Sequence, residues 1–277
     1  MSMLDALILG IIQGLTEFLP VSSSGHLALG KHILGLPTHG LMFEVMLHVA
    51  TALAVVLAFH KRLSGLINAL PHALNRSAWK LNPGMDKAHI ERAGNLRLLF
   101  FLVLGTVPAG LAGILLKDWV EKAFNSPRMV CLMLIATGAV LILSRFAPRE
   151  SKRGLTWPRV ILIGMAQACA LLPGISRSGT TITAGMLCGL SPVLAAEFSF
   201  LLALPAIFGA TVVEITSQFA VAPPDFPGTW PLVIGLGSAF FSGLIAIFFL
   251  LKVIQKGQFD LFAWYCWTVA ALGLVLL

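Results

Sequence analysis

The sequence reads Leu19-Pro20-Val21-Ser22-Ser23-Ser24-Gly25-His26 where its first apolar run ends. A second break, Leu172-Pro173-Gly174-Ile175-Ser176-Arg177-Ser178-Gly179-Thr180, repeats this order of residue types with one inserted residue. Proline interrupts a helix, and a serine favours the first turn of a new one. Each break therefore predicts two half-helices joined by a tight turn.

The composition indicates that the sequence on either side of these breaks spans a membrane. Of 277 residues, 57% are hydrophobic and 11% are charged, whereas soluble domains carry about 25% charged residues. This excludes a water-soluble globule, and the net charge of +7 is better explained by membrane topology than by nucleic-acid binding. Six segments are predicted to span the bilayer: Phe43–His60, Leu98–Leu116, Met129–Phe146, Leu194–Val213, Pro231–Leu251 and Leu261–Leu277.

The regions around the two breaks are predicted to enter the membrane without crossing it. In each region, two apolar pieces flank the break, and each piece is too short to span a hydrocarbon layer about 30 Å thick. Broken backbone at membrane depth must be buried in protein or line a wet cavity. The predicted fold is an all-α polytopic membrane protein with two re-entrant helical hairpins.

The two halves of the chain resemble each other, which indicates an internal duplication. We divide the single membrane domain, 1–277, into repeat one, 1–149, and repeat two, 150–277. Each repeat holds one hairpin and three spans. Because three is odd, repeat two is expected to be inverted, and such repeats place their sites near the midplane at the repeat interface.

The positive charges predict the orientation of this arrangement. Loops 61–97, 145–159 and 252–260 fall on one side and hold seven, five and two of the 19 lysines and arginines. That side is therefore cytoplasmic, and both termini face outward. On this topology, a loop residue near Thr38 is accessible from outside and one near Asn82 is not.

Ionisable residues at the breaks predict an anion site with acid–base chemistry. Glu17 precedes the first break with Gln13 on the same helical face, His26 follows it, and Arg177 lies in the second break. Helix starts, an arginine and hydroxyl groups together bind phosphate, whereas carboxylate and amide oxygens suit Mg²⁺ or Ca²⁺. A lipid phosphate is the expected substrate. The candidate phosphate-binding residues are Ser22, Ser24, Gly25, Ser176, Arg177, Ser178, Gly179 and Thr181.

Simpler explanations exist for several of these residues. The serines of the first break are also explained as helix caps, and Glu17 and Arg177 as partners of each other. Glu44 and Glu197 start equivalent spans, where the helix dipole accounts for them. The remaining histidines in and beside the spans have no evident partner, so an interfacial position is expected for His48, His60 and His72.

The segments Gln13–His26 and Pro173–Thr181 resemble the two signature motifs of the bacterial undecaprenyl-diphosphatase, or bacitracin-resistance, family. The resemblance covers nearly the whole chain, including Phe43-Glu44-Val45 and Glu197-Phe198-Ser199-Phe200. It implies a phosphatase of the bacterial cytoplasmic membrane that acts at the outer face, removes the terminal phosphate of undecaprenyl diphosphate, and needs Mg²⁺ or Ca²⁺. The matching functional positions are Glu17, Ser23, His26, Ser176, Arg177 and Thr181, whereas Gln13 is the amide variant of a Glu/Gln position.

Two questions stay open from the sequence. A polyprenyl-phosphate flippase would use the same inverted-repeat architecture, although pure binding does not require His26 beside Glu17. Ser23, activated by His26, is the preferred nucleophile, with His26 as the direct nucleophile in the alternative. The expected partners are the polyprenyl diphosphate lipid and the bilayer, and the oligomeric state is open, a homodimer being one option.

Overall fold

The computed structural model describes residues 1–33, 41–80, 85–124, 126–148, 153–221 and 228–276, and within these ranges all regular structure is helical. The α-helices are α1 (Met3–Phe18), α2 (Ser23–Ile33), α3 (Leu41–Ala58), α4 (His60–Ala69), α5 (Lys87–Leu115), α6 (Lys117–Phe124), α7 (Pro127–Leu143), α8 (Trp157–Cys169), α9 (Arg177–Leu187), α10 (Pro192–Val221), α11 (Thr229–Gln255) and α12 (Phe262–Leu276). Short 3₁₀ helices occupy Leu70–His72, Arg76–Trp79, Ser144–Phe146 and Phe259–Leu261.

The prediction of a helical, multi-pass membrane fold is confirmed. Five helical segments are long and apolar enough to cross a bilayer. They are α5, α7 with the 3₁₀ helix after it, α10, α11, and α12 with the 3₁₀ helix before it. A sixth span results if α3 is taken together with α4 and the turn after it, a pair bent by 84°. On α5, the exposed residues Phe100, Val103, Val107, Leu111 and Ile114 recur every three or four positions. This spacing gives one apolar stripe along the helix, as a lipid-facing helix requires.

The two breaks form short helical hairpins. Helices α1 and α2 have 16 and 11 residues, and α8 and α9 have 13 and 11. At about 1.5 Å per residue, none of them reaches across a hydrocarbon core of about 30 Å. Gly174 takes a φ of 96° in the second break, and Ser22 takes the left-handed φ of 69° in the first.

The hairpins correspond residue for residue, without the insertion that the sequence comparison introduced. Ser22 Oγ accepts a hydrogen bond from the Gly25 amide at 3.3 Å, and Ser176 Oγ accepts one from the Gly179 amide at 3.0 Å. Since the two capping serines are equivalent, Ser23 corresponds to Arg177, and each is the first residue of its helix.

The hairpin of each half packs against a long helix of the other half. Helix α1 lies along α11 and α8 lies along α5, while α7 contacts α12. Close approach depends on glycine, because a Cβ at Gly10 would meet the Gly235 carbonyl and one at Gly164 would meet the Gly105 carbonyl. The inverted orientation of repeat two stays a prediction, and the boundary at 149/150 and the loops around Thr38 and Asn82 lie outside the described residues.

Candidate functional site

A polar cavity of about 130 Å³ lies where the two hairpin breaks meet. The N-terminal ends of α2 and α9 both border it, so their free backbone N–H groups and positive dipole ends favour an anion there. Its polar lining combines hydroxyl groups with ionisable side chains: Thr16, Ser22, Ser23, Ser24, Ser176, Glu17, His48 and Arg177. The sequence prediction that the two breaks share one site agrees with this geometry.

The carboxylate of Glu17 is the centre of the hydrogen-bond network. Arg177 Nη2 donates to Glu17 Oε1 at 2.5 Å, and Ser23 Oγ donates to Glu17 Oε2 at 2.6 Å. Gln13 Nε2 donates to the same Oε2 at 3.0 Å. Only 6% of the Glu17 side chain is exposed, and a buried charge is tolerated when it is paired in this way. The equivalent residues Ser23 and Arg177 thus bind the two oxygens of one carboxylate.

Arg177 is held from a second direction by α10. Its Nη1 donates to the Ser199 carbonyl at 3.3 Å, while Thr181 Oγ1 shares a 2.6 Å hydrogen bond with Ser199 Oγ. The guanidinium is therefore fixed between α1 and α10 while bordering the cavity. Sequence reasoning named Thr181 but gave no role to Ser199.

The other hydroxyl residues of the second break hold its backbone together. Thr137 Oγ1, on α7, donates to the Gly174 carbonyl at 2.8 Å and accepts from the Ser176 amide at 3.0 Å. Ser178 Oγ donates to the Leu19 carbonyl at 3.1 Å, which ties the two breaks together. Ser178 and Thr181 are buried, so their observed contacts support the loop that carries Arg177.

The hydrogen bonds of His26 go to groups other than Ser23, so the structure does not form the Ser–His pair that the sequence predicts. Its Nδ1 lies 2.9 Å from the Ser22 carbonyl and its Nε2 lies 3.0 Å from the Tyr265 hydroxyl. A carbonyl only accepts, so Nδ1 carries the proton and Nε2 accepts from Tyr265. The two rings also stack, with centroids 5.6 Å apart. Both ring nitrogens of His26 are thus hydrogen-bonded to groups other than Ser23.

The histidine beside Glu17 is His48, for which the sequence predicted an interfacial position without a partner. Its Nε2 lies 3.6 Å from Glu17 Oε2, and its Nδ1 lies 2.8 Å from the Glu44 carbonyl. The Nδ1 contact directs Nε2 toward the cavity. The signal that could have found it is the cost of an ionisable side chain in the middle of an apolar span.

The two glutamates that start equivalent spans both form ion pairs. Glu44 binds Lys31 of α2, and Glu197 binds Arg62 Nε at 3.1 Å. These pairs lie outside the set of residues that border the polar cavity.

The oxygen atoms of Glu17 and Gln13 are too few to hold a divalent cation without further ligands from a bound molecule. Within the described ranges, no group of three or more His, Cys, Asp or Glu could hold a metal ion. Glu17 borders the cavity, however, and Gln13 Oε1 is a buried oxygen without a hydrogen-bond partner. Mg²⁺ is commonly held by one or two carboxylates together with substrate phosphates. A cation held by Glu17 and Gln13 would therefore need a bound phosphate group and water to complete its ligands.

Comparison with known proteins gives matches over almost the full chain. The family profile of "Bacitracin resistance protein BacA" matches residues 6–272. A curated protein of Desulforapulum autotrophicum named undecaprenyl-diphosphatase is 36% identical over 277 residues, which cover 99% of this chain and 98% of the relative. Proteins of the same name from Salinibacter ruber and Methanobrevibacter smithii are 38% and 39% identical, over 99% and 97% of this chain and 98% and 95% of the relatives.

Proposed function

We propose, because the chain belongs to the bacitracin resistance protein BacA family, that it is an integral membrane undecaprenyl-diphosphatase. The reaction hydrolyses undecaprenyl diphosphate to undecaprenyl phosphate and inorganic phosphate. It recycles the carrier lipid of peptidoglycan synthesis and confers resistance to bacitracin. The relatives are named for this activity, so the flippase alternative is not favoured.

One observation carries the proposal at the level of residues. A hydroxyl, a carboxylate and a guanidinium are joined by hydrogen bonds of 2.6 Å and 2.5 Å at the edge of one cavity. A serine attacks well when a base takes its proton, and an arginine stabilises the charge of a phosphoryl group in transfer. Ser23, Glu17 and Arg177 have these three chemical roles.

In the first step, Ser23 Oγ attacks the terminal phosphorus and its proton passes to Glu17 Oε2. The bond from this phosphorus to the bridging oxygen breaks, and undecaprenyl phosphate leaves. Ser22, Ser24, Gly25, Ser176 and the amides that start α2 and α9 surround the diphosphate. The geometry favours Ser23 over His26 as nucleophile because both ring nitrogens of His26 are already bonded.

In the second step, water attacks the phosphoserine and the bond from phosphorus to Ser23 Oγ breaks. Glu17 returns its proton to Ser23 Oγ, one proton of the water stays on the released phosphate, and the other passes to solvent. Arg177 holds the phosphoryl oxygens through both steps. His48 borders the cavity beside Glu17 and is placed to exchange protons with it.

The cofactor of this reaction is a divalent cation, Mg²⁺ or Ca²⁺, held by Glu17 and Gln13. When bound with the diphosphate it adds positive charge beside the phosphoryl group. The support for this assignment is that the Gln13 side chain is hydrogen-bonded to the Glu17 carboxylate through Nε2, while its Oε1 has no hydrogen-bond partner.

The cellular setting follows from the charge distribution. We assign the protein to the bacterial cytoplasmic membrane, with both termini outside and the cavity open to the outer face. The support is that loops 61–97, 145–159 and 252–260 hold seven, five and two of the 19 basic side chains, in accord with the positive-inside rule.

The test is phosphate release from undecaprenyl diphosphate by purified protein, combined with rapid quenching and mass spectrometry. Ser23→Ala is expected to remove turnover and the phosphoserine, whereas the wild type carries phosphate on Ser23. Ser64→Ala, which removes an exposed hydroxyl far along the chain, serves as the control and keeps full activity. Phosphate trapped on His26, or full turnover by Ser23→Ala, would overturn the assignment of the nucleophile.

A further inference from the structure

A second cavity, of about 180 Å³, lies between α4, α5 and α10 and shares no residue with the polar cavity. We call it the arginine cavity, because Arg62 and Arg97 border it together with a single carboxylate, that of Glu197. Two guanidinium groups against one carboxylate give its lining an excess of positive charge. Nothing in the phosphatase reaction uses these residues.

The two arginines differ in their partners. Arg62 forms an ion pair with Glu197 at 3.1 Å and donates to Asn95 Oδ1 at 3.3 Å, so its position is fixed by the fold. Arg97 Nη2 donates to the Trp79 carbonyl at 3.4 Å, a long bond to a neutral acceptor. A guanidinium carries several N–H donors, so Arg97 keeps the capacity to bind an anion.

The arginine cavity lies at the boundary between the polar and the apolar parts of α5. Arg97 is the last charged residue before the uncharged segment 98–116. Directly after it, Leu98 and Phe101 border the cavity, and Leu201 of α10 borders it as well. The lining thus combines charged with apolar side chains, which matches an amphiphile with a charged headgroup.

The segment 61–97, which begins on α4 beside Arg62 and ends on α5 at Arg97, belongs to the side of the protein with most basic residues, which the positive-inside rule makes cytoplasmic. Anionic phospholipids give the cytoplasmic leaflet a negative surface potential, and basic pockets between membrane helices bind their headgroups. We propose that the arginine cavity is a binding site for an anionic glycerophospholipid, with its phosphate on Arg97 and a chain along Leu98, Phe101 and Leu201.

Native mass spectrometry of the purified protein tests this site. The protein is incubated with equal amounts of phosphatidylglycerol and phosphatidylcholine that carry the same chains. We expect retention of phosphatidylglycerol, and a loss of about fivefold in Arg97→Gln, from one basic contact to a lipid phosphate. Arg76→Gln, which neutralises an exposed arginine outside the cavity, is the matched control and retains the lipid as the wild type does.

A second variant fills the arginine cavity without changing charge. Gly94 borders it, and a Cβ at this position would meet no atom within 4 Å, so Gly94→Leu is expected to fold and to lose the lipid. Both variants should release phosphate from undecaprenyl diphosphate in detergent at the wild-type rate. Equal retention of the two phospholipids by the wild type, or unchanged retention by both variants, would overturn the proposal. Displacement of phosphatidylglycerol by equimolar undecaprenyl phosphate would instead assign the cavity to the product lipid.

Discussion

Replacing Arg177 by lysine separates what this residue does for the fold from what it does for the reaction. Its side chain is 16% exposed and forms the 2.5 Å ion pair with Glu17, and it also binds the Ser199 carbonyl at 3.3 Å. Removing one partner of a buried pair costs about 3–5 kcal/mol, so Arg177→Ala is expected to destabilise the protein. Lysine keeps the positive charge beside Glu17, and the fold should persist.

The rate of phosphate release should fall in Arg177→Lys even though the protein folds. An ammonium is a point charge that cannot hold Glu17, Ser199 and a phosphoryl group with the planar fork of a guanidinium. A hydrogen bond to a charged group contributes about 1.5–3 kcal/mol. Loss of one or two of them in the transition state lowers the rate by about 100-fold, since about 1.4 kcal/mol corresponds to a factor of ten.

The assay is phosphate release from undecaprenyl diphosphate in detergent, with thermal unfolding measured on the same preparations. Arg145→Lys is the control. Arg145 also forms a close ion pair, at 2.6 Å with Asp260, but it does not border the polar cavity. A folded Arg177→Lys protein with a rate within threefold of the control would refute the role of the guanidinium. A melting temperature as low as that of Arg177→Ala would refute the reasoning that charge alone preserves the fold.

Four further measurements test the site residues, the hairpin, the cation and the topology. Because His48 rather than His26 lies beside Glu17, His48→Ala should lower kcat more than His26→Ala, and the reverse order would restore His26 to the reaction. Thr137→Val leaves the Ser176 amide without its acceptor and should cost about 1–3 kcal/mol, seen as a lower melting temperature; an unchanged one would contradict this account. Excess chelator should abolish phosphate release, and added Mg²⁺ or Ca²⁺ should restore it, whereas full activity in chelator would remove the cation from the site. In intact cells, a cysteine at Lys122 should react with an impermeant reagent and one at Ser64 should not, and the opposite pattern would reverse the topology.

The sequence by itself determined the class of fold and predicted where the candidate site lies. Burial of apolar side chains against lipid is a local property of each segment, so the five or six candidate spans and the two hairpins follow from composition, proline and serine. The breaks predicted Glu17 and Arg177 as candidate site residues, since an ionisable group in apolar sequence must have a partner or a function. Capping also acts within a few residues, and it placed the starts of α2 and α9.

Only the tertiary structure decided which side chains meet. The partner of His26 is Tyr265, 239 positions away on α12, and the histidine next to Glu17 comes from α3. No periodicity in the sequence distinguishes these two histidines, because both lie near the breaks or in a span. Ser199 likewise reaches Arg177 only because α10 packs against α9. Hydrogen bonds within about 3 Å depend on helix packing and rotamers, which the sequence pattern of one segment does not contain.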